Sequence, residues 1–391
     1  MGNFDHLLQA DVQKYISEHL NHNEADLLLT HKKNKEWDMP LILQQIIGKK
    51  KAKVKLPSWY LRSDIIYPKR LSLEQCSSEQ TARYKAGLCQ GKQFIDITAG
   101  FGVDCHFISQ SFEKGTHCEI DEDLQAIVKH NLKMLRSNVD SFQTNGLDFL
   151  KDYKGQFDLI YIDPARRNEH LKKVFQLSNC TPNVIEHLDL LMKKGKQVLI
   201  KTSPLLDIKN VLTVLPFVKE VHVLSYKNEC KEVLYLIKKD AIENACIHCV
   251  DIEKSHYQFG YDQEEQAPIY GDTLQYLYEP NSSILKAGAY NSLAHKFKLV
   301  KLHPNSHLYT SSNLLNNFPG RTFKINAVCK FNKKELVKHI PQKKGNITRR
   351  NFPFSVAEIR KKTGIREGGR HYLFATTLKD NKPKIVICSK I

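Results

Sequence analysis

The sequence predicts an α/β protein built on a doubly wound, mostly parallel sheet, with a helical region before it and α+β modules after it. Three observations carry this. Between residues 71 and 240, short apolar runs of strand length alternate with stretches of helical period, the pattern of consecutive βαβ units. The first of these runs ends in the glycine-bearing loop "DITAGFGVD", where a strand hands over to a helix. From residue 320 onward the order changes to strand, helix, strand, helix, strand, strand, which packs two helices on one small sheet.

Residues 1–70 read as helical. Leu7, Leu8, Val12, Ile16 and Leu20 recur at helical spacing, and "PLILQQIIG" continues the pattern with an expected stop at Gly48. The basic run Lys49 to Lys55 then meets Trp59 and Tyr60. Such a run either contacts an RNA backbone with a ring stacked on a base, or is a solvated helix end with two aromatic anchors. From Leu71 the order is a helix in "SSEQTARYKAGLC", capped by Ser77 or Ser78, a buried strand in "KQFIDITA", a helix in "VDCHFISQSF" and a strand in "GTHCEID". A helix in "EDLQAIVKHNLKML", strands in "SFQTNG" and "FDLIYIDP", a helix in "NVIEHLDLLMKKG" closed by Gly195 and a strand in "KQVLIKTSP" follow. "VKEVHVLSY" and "KEVLYLIKK" make a terminal strand pair that closes this domain near Asp240. Within residues 241–319 the stretch "EPNSSILKAGAYNSLAHKFKLVKLHPNSHLYTSS" shows helix and then strand character after a Gln- and Glu-rich turn at "YDQEEQAPIYGD", and residues 320–391 form the last α+β module.

Composition narrows the class. The 391 residues are 41% hydrophobic and 26% charged, ordinary for a globular protein of two or three domains. No apolar run reaches the roughly 18–20 residues of a membrane span, and the polar, acidic opening "MGNFDHLLQADVQKY" lacks the form of a secretory signal. His6 stands where the myristoylation pattern needs Ser or Thr. Ten scattered cysteines then read as reduced thiols of a cytoplasmic protein with no membrane partner. Cys246 and Cys249 in "CIHC" have metal-ligand spacing, but no second such pair completes a four-ligand site, and no metal is expected. The net charge is +17, and residues 321–391 alone carry 19 Lys and Arg against 4 Asp and Glu. Charge concentrated in one terminal module is the footprint of a polyanion partner, most simply nucleic acid.

The chemistry lies at strand ends. Gly100 and Gly102 let the backbone after the first strand approach a ligand, but Cys105 occupies the place of the third glycine of the dinucleotide fingerprint. The loop therefore suits a ligand with no pyrophosphate and a charged amino-acid end. Glu119 closes the second strand about twenty residues on, where a carboxylate takes the hydroxyls of a ribose. Asp163 and Pro164 turn outward at the end of the fourth strand, followed by Arg166 and Arg167, planar forks suited to phosphate or a guanine edge. Cys105 reads as a small apolar helix residue.

Glycine loop, acid and Asp-Pro together resemble the class I S-adenosylmethionine-dependent methyltransferases, with their Rossmann-like domain. More narrowly, "LEQCSSEQTARYKAGL", "DITAGFGVD", "DPARR" and the ending "IRKKTGIREGGRHYLFATTLKDNKPKIVICSK" resemble the bacterial group that carries a THUMP-like C-terminal domain. The resemblance implies a helical region over 1–70, a methyltransferase domain over 71–240, a ferredoxin-like domain over 241–319 and a basic THUMP-like domain over 320–391. It implies S-adenosyl-L-methionine as cofactor, with Asp96, Thr98, Gly100, Gly102 and Asp104 at its methionine end, Glu119 at the ribose, and Asn145 or Asp148 near the adenine. Asp163 and Pro164 would face the methyl group and substrate, Arg166 and Arg167 the substrate. THUMP modules go with RNA modification, so the expected partner is transfer or ribosomal RNA, methylated by direct in-line transfer. One departure matters: Pro164-Ala165-Arg166 replaces the Pro-Pro-aromatic run of many exocyclic-amine methylases, so N6-adenine chemistry is not implied. The rival readings are an RNA-binding protein with a degenerate cofactor fold, a methyltransferase of proteins or small molecules, and a nicotinamide-dependent dehydrogenase.

Overall fold

A computed structural model describes residues 4–23, 27, 37–166, 176–241 and 244–391. The chain divides into two compact units, residues 1–219 with 233–243, and residues 220–232 with 244–391.

The first unit opens with helices α1 (Ala10–Glu18) and α2 (Met39–Lys55), the latter capped by the Asp38 carboxylate, which accepts the Leu41 N–H at 3.2 Å. Their apolar faces, Val12 and Ile16 on α1 and Ile42 and Ile46 on α2, share one core with Trp59, Tyr67, Phe101 and Phe107. Helix α2 runs through Gly48 instead of stopping there. A Cβ at Gly48 would lie 2.3 Å from Tyr67 Cβ, so the glycine serves close packing rather than termination. Tyr67 is clamped to the same helix, its N–H donating to Gln45 Oε1 at 2.8 Å and its carbonyl accepting from Gln45 Nε2 at 3.0 Å. The aromatic neighbour of the basic run proves to be an anchor: Trp59 is 1% exposed, edge-on to Phe101 at 5.2 Å. The lysines behind it bind protein too. Lys55 donates to the carbonyls of Leu73 and Glu74, and Lys51 pairs with the Glu74 carboxylate. Trp59 therefore has no face to offer a base.

Helices α3 (Arg70–Gln75) and α4 (Glu79–Ala86) lead into β1 (Gly91–Asp96), and Ser78, not Ser77, caps α4. Next come α5 (Val103–Ser109), β2 (Phe112–Glu119), α6 (Glu122–Met134), β3 (Val139–Gln143), α7 (Gly146–Asp152) and β4 (Phe157–Ile162). Helix α8 (Leu188–Lys194), β5 (Gly195–Thr202), α9 (Ile208–Val214), β6 (Val218–Tyr226) and β7 (Glu229–Lys238) complete the series. Within this unit the strands lie in the order β7-β5-β4-β1-β2-β3, parallel except for β7 against β5. Strand β1 thus sits between β4 and β2. The strand order reverses there, and the crevice at the carboxyl ends of β1 and β4 is where an open α/β sheet binds its ligand.

In the second unit β8 (Cys246–Asp251) pairs in parallel with β6, placing Cys246 beside Glu220 and His248 beside His222. Strand β9 (Ser255–Phe259) pairs antiparallel with β8. The sequence reading assigned no element to residues 246–259, so β8 and β9 are additions to it. A seven-stranded sheet follows. Its elements are β10 (Tyr276–Pro280), α10 (Ser282–Ala287), α11 (Asn291–Lys296), β11 (Val300–Lys301) and β12 (Tyr309–Ser311). After them come β13 (Gly320–Lys330), α12 (Lys333–His339), β14 (Asn346–Arg350), α13 (Val356–Thr363), β15 (His371–Thr377) and β16 (Pro383–Lys390). The strand order is β11-β12-β10-β13-β16-β15-β14. Strand β10 pairs with β13, Leu277 opposite Phe323, so the two terminal modules share one sheet. The buried Glu279 carboxylate ties them further, accepting from Arg321 Nε at 2.7 Å and Arg350 Nη2 at 3.0 Å. Helices α12 and α13 cover one face over Leu336, Ile340, Phe352 and Ile359. No helix of the described residues is long and apolar enough to cross a membrane.

Candidate active site

The glycine loop leaves β1 and turns into α5 with two left-handed residues, Gly100 at φ 50° and Gly102 at φ 73°. Gly102 is also pinned by space, since a Cβ there would lie 2.7 Å from Val128 Cγ1. At Gly100 an added Cβ would meet only the Thr98 carbonyl, at 4.0 Å, so this turn of backbone is open on its outer side. A residue the sequence reading missed holds it from beneath. His117, fully buried on β2, meets the Gly100 carbonyl through Nε2 at 3.3 Å and the Ser141 hydroxyl through Nδ1 at 3.1 Å. Burial pushes its pKa down to about 4. The neutral ring therefore donates from Nε2 and accepts at Nδ1.

Asp96 and Asp163 end neighbouring strands and meet through Thr98. The Thr98 N–H donates to Asp96 Oδ1 at 3.1 Å, and Thr98 Oγ1 accepts the Asp163 N–H at 2.7 Å. Asp96 is 1% exposed. Burial, then the nearby Asp104 and Asp163 carboxylates, raise its pKa well above the usual range, against the pull of the Thr98 N–H and Lys201. It is an acid held toward its neutral form, and a cation brought beside it would draw the proton off.

Beneath the loop lies a buried ionic network that the sequence reading did not see. Asp104 pairs with Lys85 Nζ at 3.0 Å and stands 3.8 Å from Lys201 Nζ, while its Oδ2 accepts from Ser77 and Tyr161 hydroxyls, both at 2.7 Å. Burial alone would raise its pKa, but the two ammonium groups and two hydroxyls outweigh that and hold it low. Lys201, at the end of β5, reaches on to the carboxylate of Asp163. Asp104 thus faces protein cations at the base of the site. Nothing in the sequence shows that Lys85, Lys201, Ser77 and Tyr161 meet, because β4, β5, α4 and α5 bring them together only in the fold.

Glu119 stands at the end of β2 with Oε1 accepting the N–H groups of Ile120 at 2.7 Å and Asp121 at 2.9 Å. Asp121 itself caps α6. The Asn145 side chain caps α7, accepting from Leu147 and Asp148, and Asp148 pairs with Lys151 at 2.8 Å. What approaches the loop here is backbone, since a Cβ on Gly146 would lie 2.3 Å from the Ile97 carbonyl oxygen. The Asp163 side chain is 35% exposed and Pro164 is buried. The backbone of Arg166 pairs with Cys180; its side chain and all of Arg167 lie outside the described residues. Cys105 is fully buried, and burial raises its thiol pKa well above the ordinary value, which leaves no thiolate for attack.

Three family models match the chain: "Conserved hypothetical protein 95" over residues 80–205, a ferredoxin-like domain over 276–319 and a THUMP domain-like module over 320–390. Uncharacterised S-adenosylmethionine-dependent methyltransferases from two strains of Mycobacterium tuberculosis are 23% identical over 233 residues, 60% of this chain. The match spans 62% of the length of these curated relatives. A protein of Porphyromonas gingivalis W83 described as a methyltransferase superposes with a TM-score of 0.85 at 29% identity, over 99% of this chain and 98% of that one. The fold, the strand-end motifs and these likenesses agree: the chain has the fold of the class I S-adenosylmethionine-dependent methyltransferases, followed by ferredoxin-like and THUMP-like C-terminal modules, and it is similar throughout its length to a protein described as a methyltransferase.

Proposed function

We propose that the protein transfers a methyl group from S-adenosylmethionine to a base of structured RNA. The observation that carries the reading is the bridge at the strand switch. Asp96, Thr98 and Asp163 are linked in one chain of hydrogen bonds, beside a glycine turn whose outer side is open. These residues fit the cofactor. Asp96 suits its ammonium, the Gly100–Gly102 backbone its methionine portion and Glu119 its ribose. When bound, the cofactor supplies a methyl group already activated by its sulfonium.

The protein's part is alignment. Pro164 fixes the turn, the Asp163 N–H is tied to Thr98, and Lys201 holds Asp163 Oδ2. In this reading the second carboxylate oxygen of Asp163 accepts a hydrogen bond from the target N–H and turns its lone pair toward the methyl group. The RNA part of the proposal rests on the 19 Lys and Arg of residues 321–391 and on the THUMP-like match of that segment. Exposed Lys333, Lys334 and Lys361 stand on or beside its helices.

Calorimetry with S-adenosylhomocysteine, paired with transfer of tritiated methyl groups to RNA, tests both halves. Asp163→Ala is expected to bind the cofactor product normally and to lose about a hundredfold in transfer rate. Full transfer by that variant would remove Asp163 from the mechanism.

A further inference from the structure

The even-numbered face of the three strands β6, β8 and β9 gathers residues that the methyl-transfer site does not use. Alternation along each strand puts Glu220 and His222 of β6, Cys246 and His248 of β8, and His256 of β9 on one side. The parallel register sets Cys246 beside Glu220 and His248 beside His222. His256 lies diagonally next to His248, through the pairing of Val250 with His256. All of these residues belong to the second compact unit.

The donor atoms converge. Glu220 Oε2 is 3.1 Å from His222 Nε2, and His248 Nδ1 is 2.9 Å from His256 Nε2. The rings of His222 and His248 stack at 4.5 Å with an interplanar angle of 8°, and His248 stacks on His256 at 5.1 Å. One ligand atom each from Glu220, His222 and His248 lie within 4.8 Å of one another. Two donors on one zinc ion, each about 2.0–2.1 Å from it, are separated by about 3.0–3.4 Å. The two short pairs already have about that spacing, and side-chain shifts of about 1 Å gather the set.

We propose that this face binds one divalent transition-metal ion of the zinc class, held by Glu220, His222 and His248, with His256 as the fourth donor. Imidazole and carboxylate donors favour zinc or cobalt over calcium or magnesium, which take oxygen ligands. The feature that suggested a metal in the sequence, the CxxC pair, is not the site. Three residues apart on a strand, Cys246 and Cys249 point to opposite faces, and Cys249 is fully buried on the other one. The sequence could not show the histidines together because β6 and β8 are separated by β7 in the chain. An ion there would tie three strands at one point. His222 is 3% exposed, whereas Glu220 and His248 are half-buried and His256 is exposed, which gives the ion an entry path.

The test uses the full-length protein, stripped of metal by chelator and titrated with Co2+. The site predicts one equivalent bound, with visible bands of low-symmetry cobalt that Zn2+ then erases. His222→Gln with His248→Gln should remove the bands and weaken binding by more than the roughly tenfold to hundredfold that losing an outer-shell partner costs. Exposed His256→Ala leaves the fold intact and should weaken binding and alter the spectrum. Zinc should raise the melting temperature of the wild type and leave that of the double variant unmoved. Absence of Co2+ binding in the wild type overturns the proposal. So does binding that His256→Ala and the double variant both leave unchanged, which would place the ion elsewhere. If the double variant does not fold, the His256→Ala spectrum decides alone.

Discussion

Replacing Asp96 by Asn separates a residue kept for function from one kept for stability. The substitution is nearly isosteric, and the amide oxygen can still accept the Thr98 N–H that Asp96 Oδ1 accepts at 3.1 Å. What changes is charge. Asp96 is 1% exposed, and burial together with Asp104 and Asp163 raises its pKa in the folded protein. An acid whose folded pKa is raised adds stability when protonated, and that stability is lost as pH rises through the folded pKa. Asp96→Asn keeps the neutral form at every pH. It should therefore stabilise the protein by about 1 kcal/mol at pH 8, an upward shift of about 2–4 °C in melting temperature. The gain should fade toward the unfolded carboxyl pKa of about 4. Cofactor binding should move the other way. A hydrogen bond to a charged group is worth about 1.5–3 kcal/mol, so the variant should bind S-adenosylmethionine about 10-fold to 150-fold more weakly. Calorimetry in two buffers of different ionisation enthalpy adds a third readout, because the wild type should release a proton on binding and the variant should not. A variant that melts lower than the wild type at pH 8 and binds the cofactor equally well would refute this account of Asp96.

Other outcomes follow from the same geometry. Lys85→Met leaves Asp104 buried with one distant ammonium, Lys201 at 3.8 Å, and should cost about 3 kcal/mol in urea unfolding, the low end for breaking a buried pair. Gly48→Ala gains about 1 kcal/mol of helix propensity, but its Cβ meets Tyr67 at 2.3 Å; a net loss of about 1–2 kcal/mol is expected, and a gain would contradict the close-packing explanation. His117→Phe removes the donor to the Gly100 carbonyl and should weaken cofactor binding about fivefold, the worth of about 1 kcal/mol, with methyl transfer at saturating cofactor little changed. Lys333, Lys334 and Lys361 changed together to Gln should lower the slope of log affinity for RNA against log salt by about 2. Cutting the chain at residue 320 is a poorer test, because β13 pairs with β10 and its loss strips that strand of a partner.

The strand-end residues were legible because local chemistry marks them. A strand followed by Gly100 and Gly102 in left-handed turns, and an Asp-Pro after an apolar run, have direct backbone reasons. The terminal module was legible for the same reason, since its alternation and helical period follow the chain; in the structure Ser355 with Glu358 forms a capping box at its second helix. What was not legible depends on distance in sequence. Ser77 and Lys85 reach Asp104 only when helices α4 and α5 pack together, and Lys201 reaches Asp163 only when β5 pairs with β4. Gly48 misled because a glycine that makes room for Tyr67 looks in sequence like a helix stop. Trp59 stayed open between two readings because an aromatic beside lysines carries no sign of which way it faces, and the shared core with Phe101 decides that.

The central claim is tested most directly by methyl transfer to RNA from cells that lack this protein. Tritiated S-adenosylmethionine, the purified full-length chain and that RNA should yield labelled RNA. Label should be absent with RNA from wild-type cells, whose sites are already filled, and reduced about a hundredfold with Asp163→Ala. Unlabelled RNA from the deletion strain, given by a protein that calorimetry shows to bind the cofactor, would contradict the assignment of RNA as the substrate.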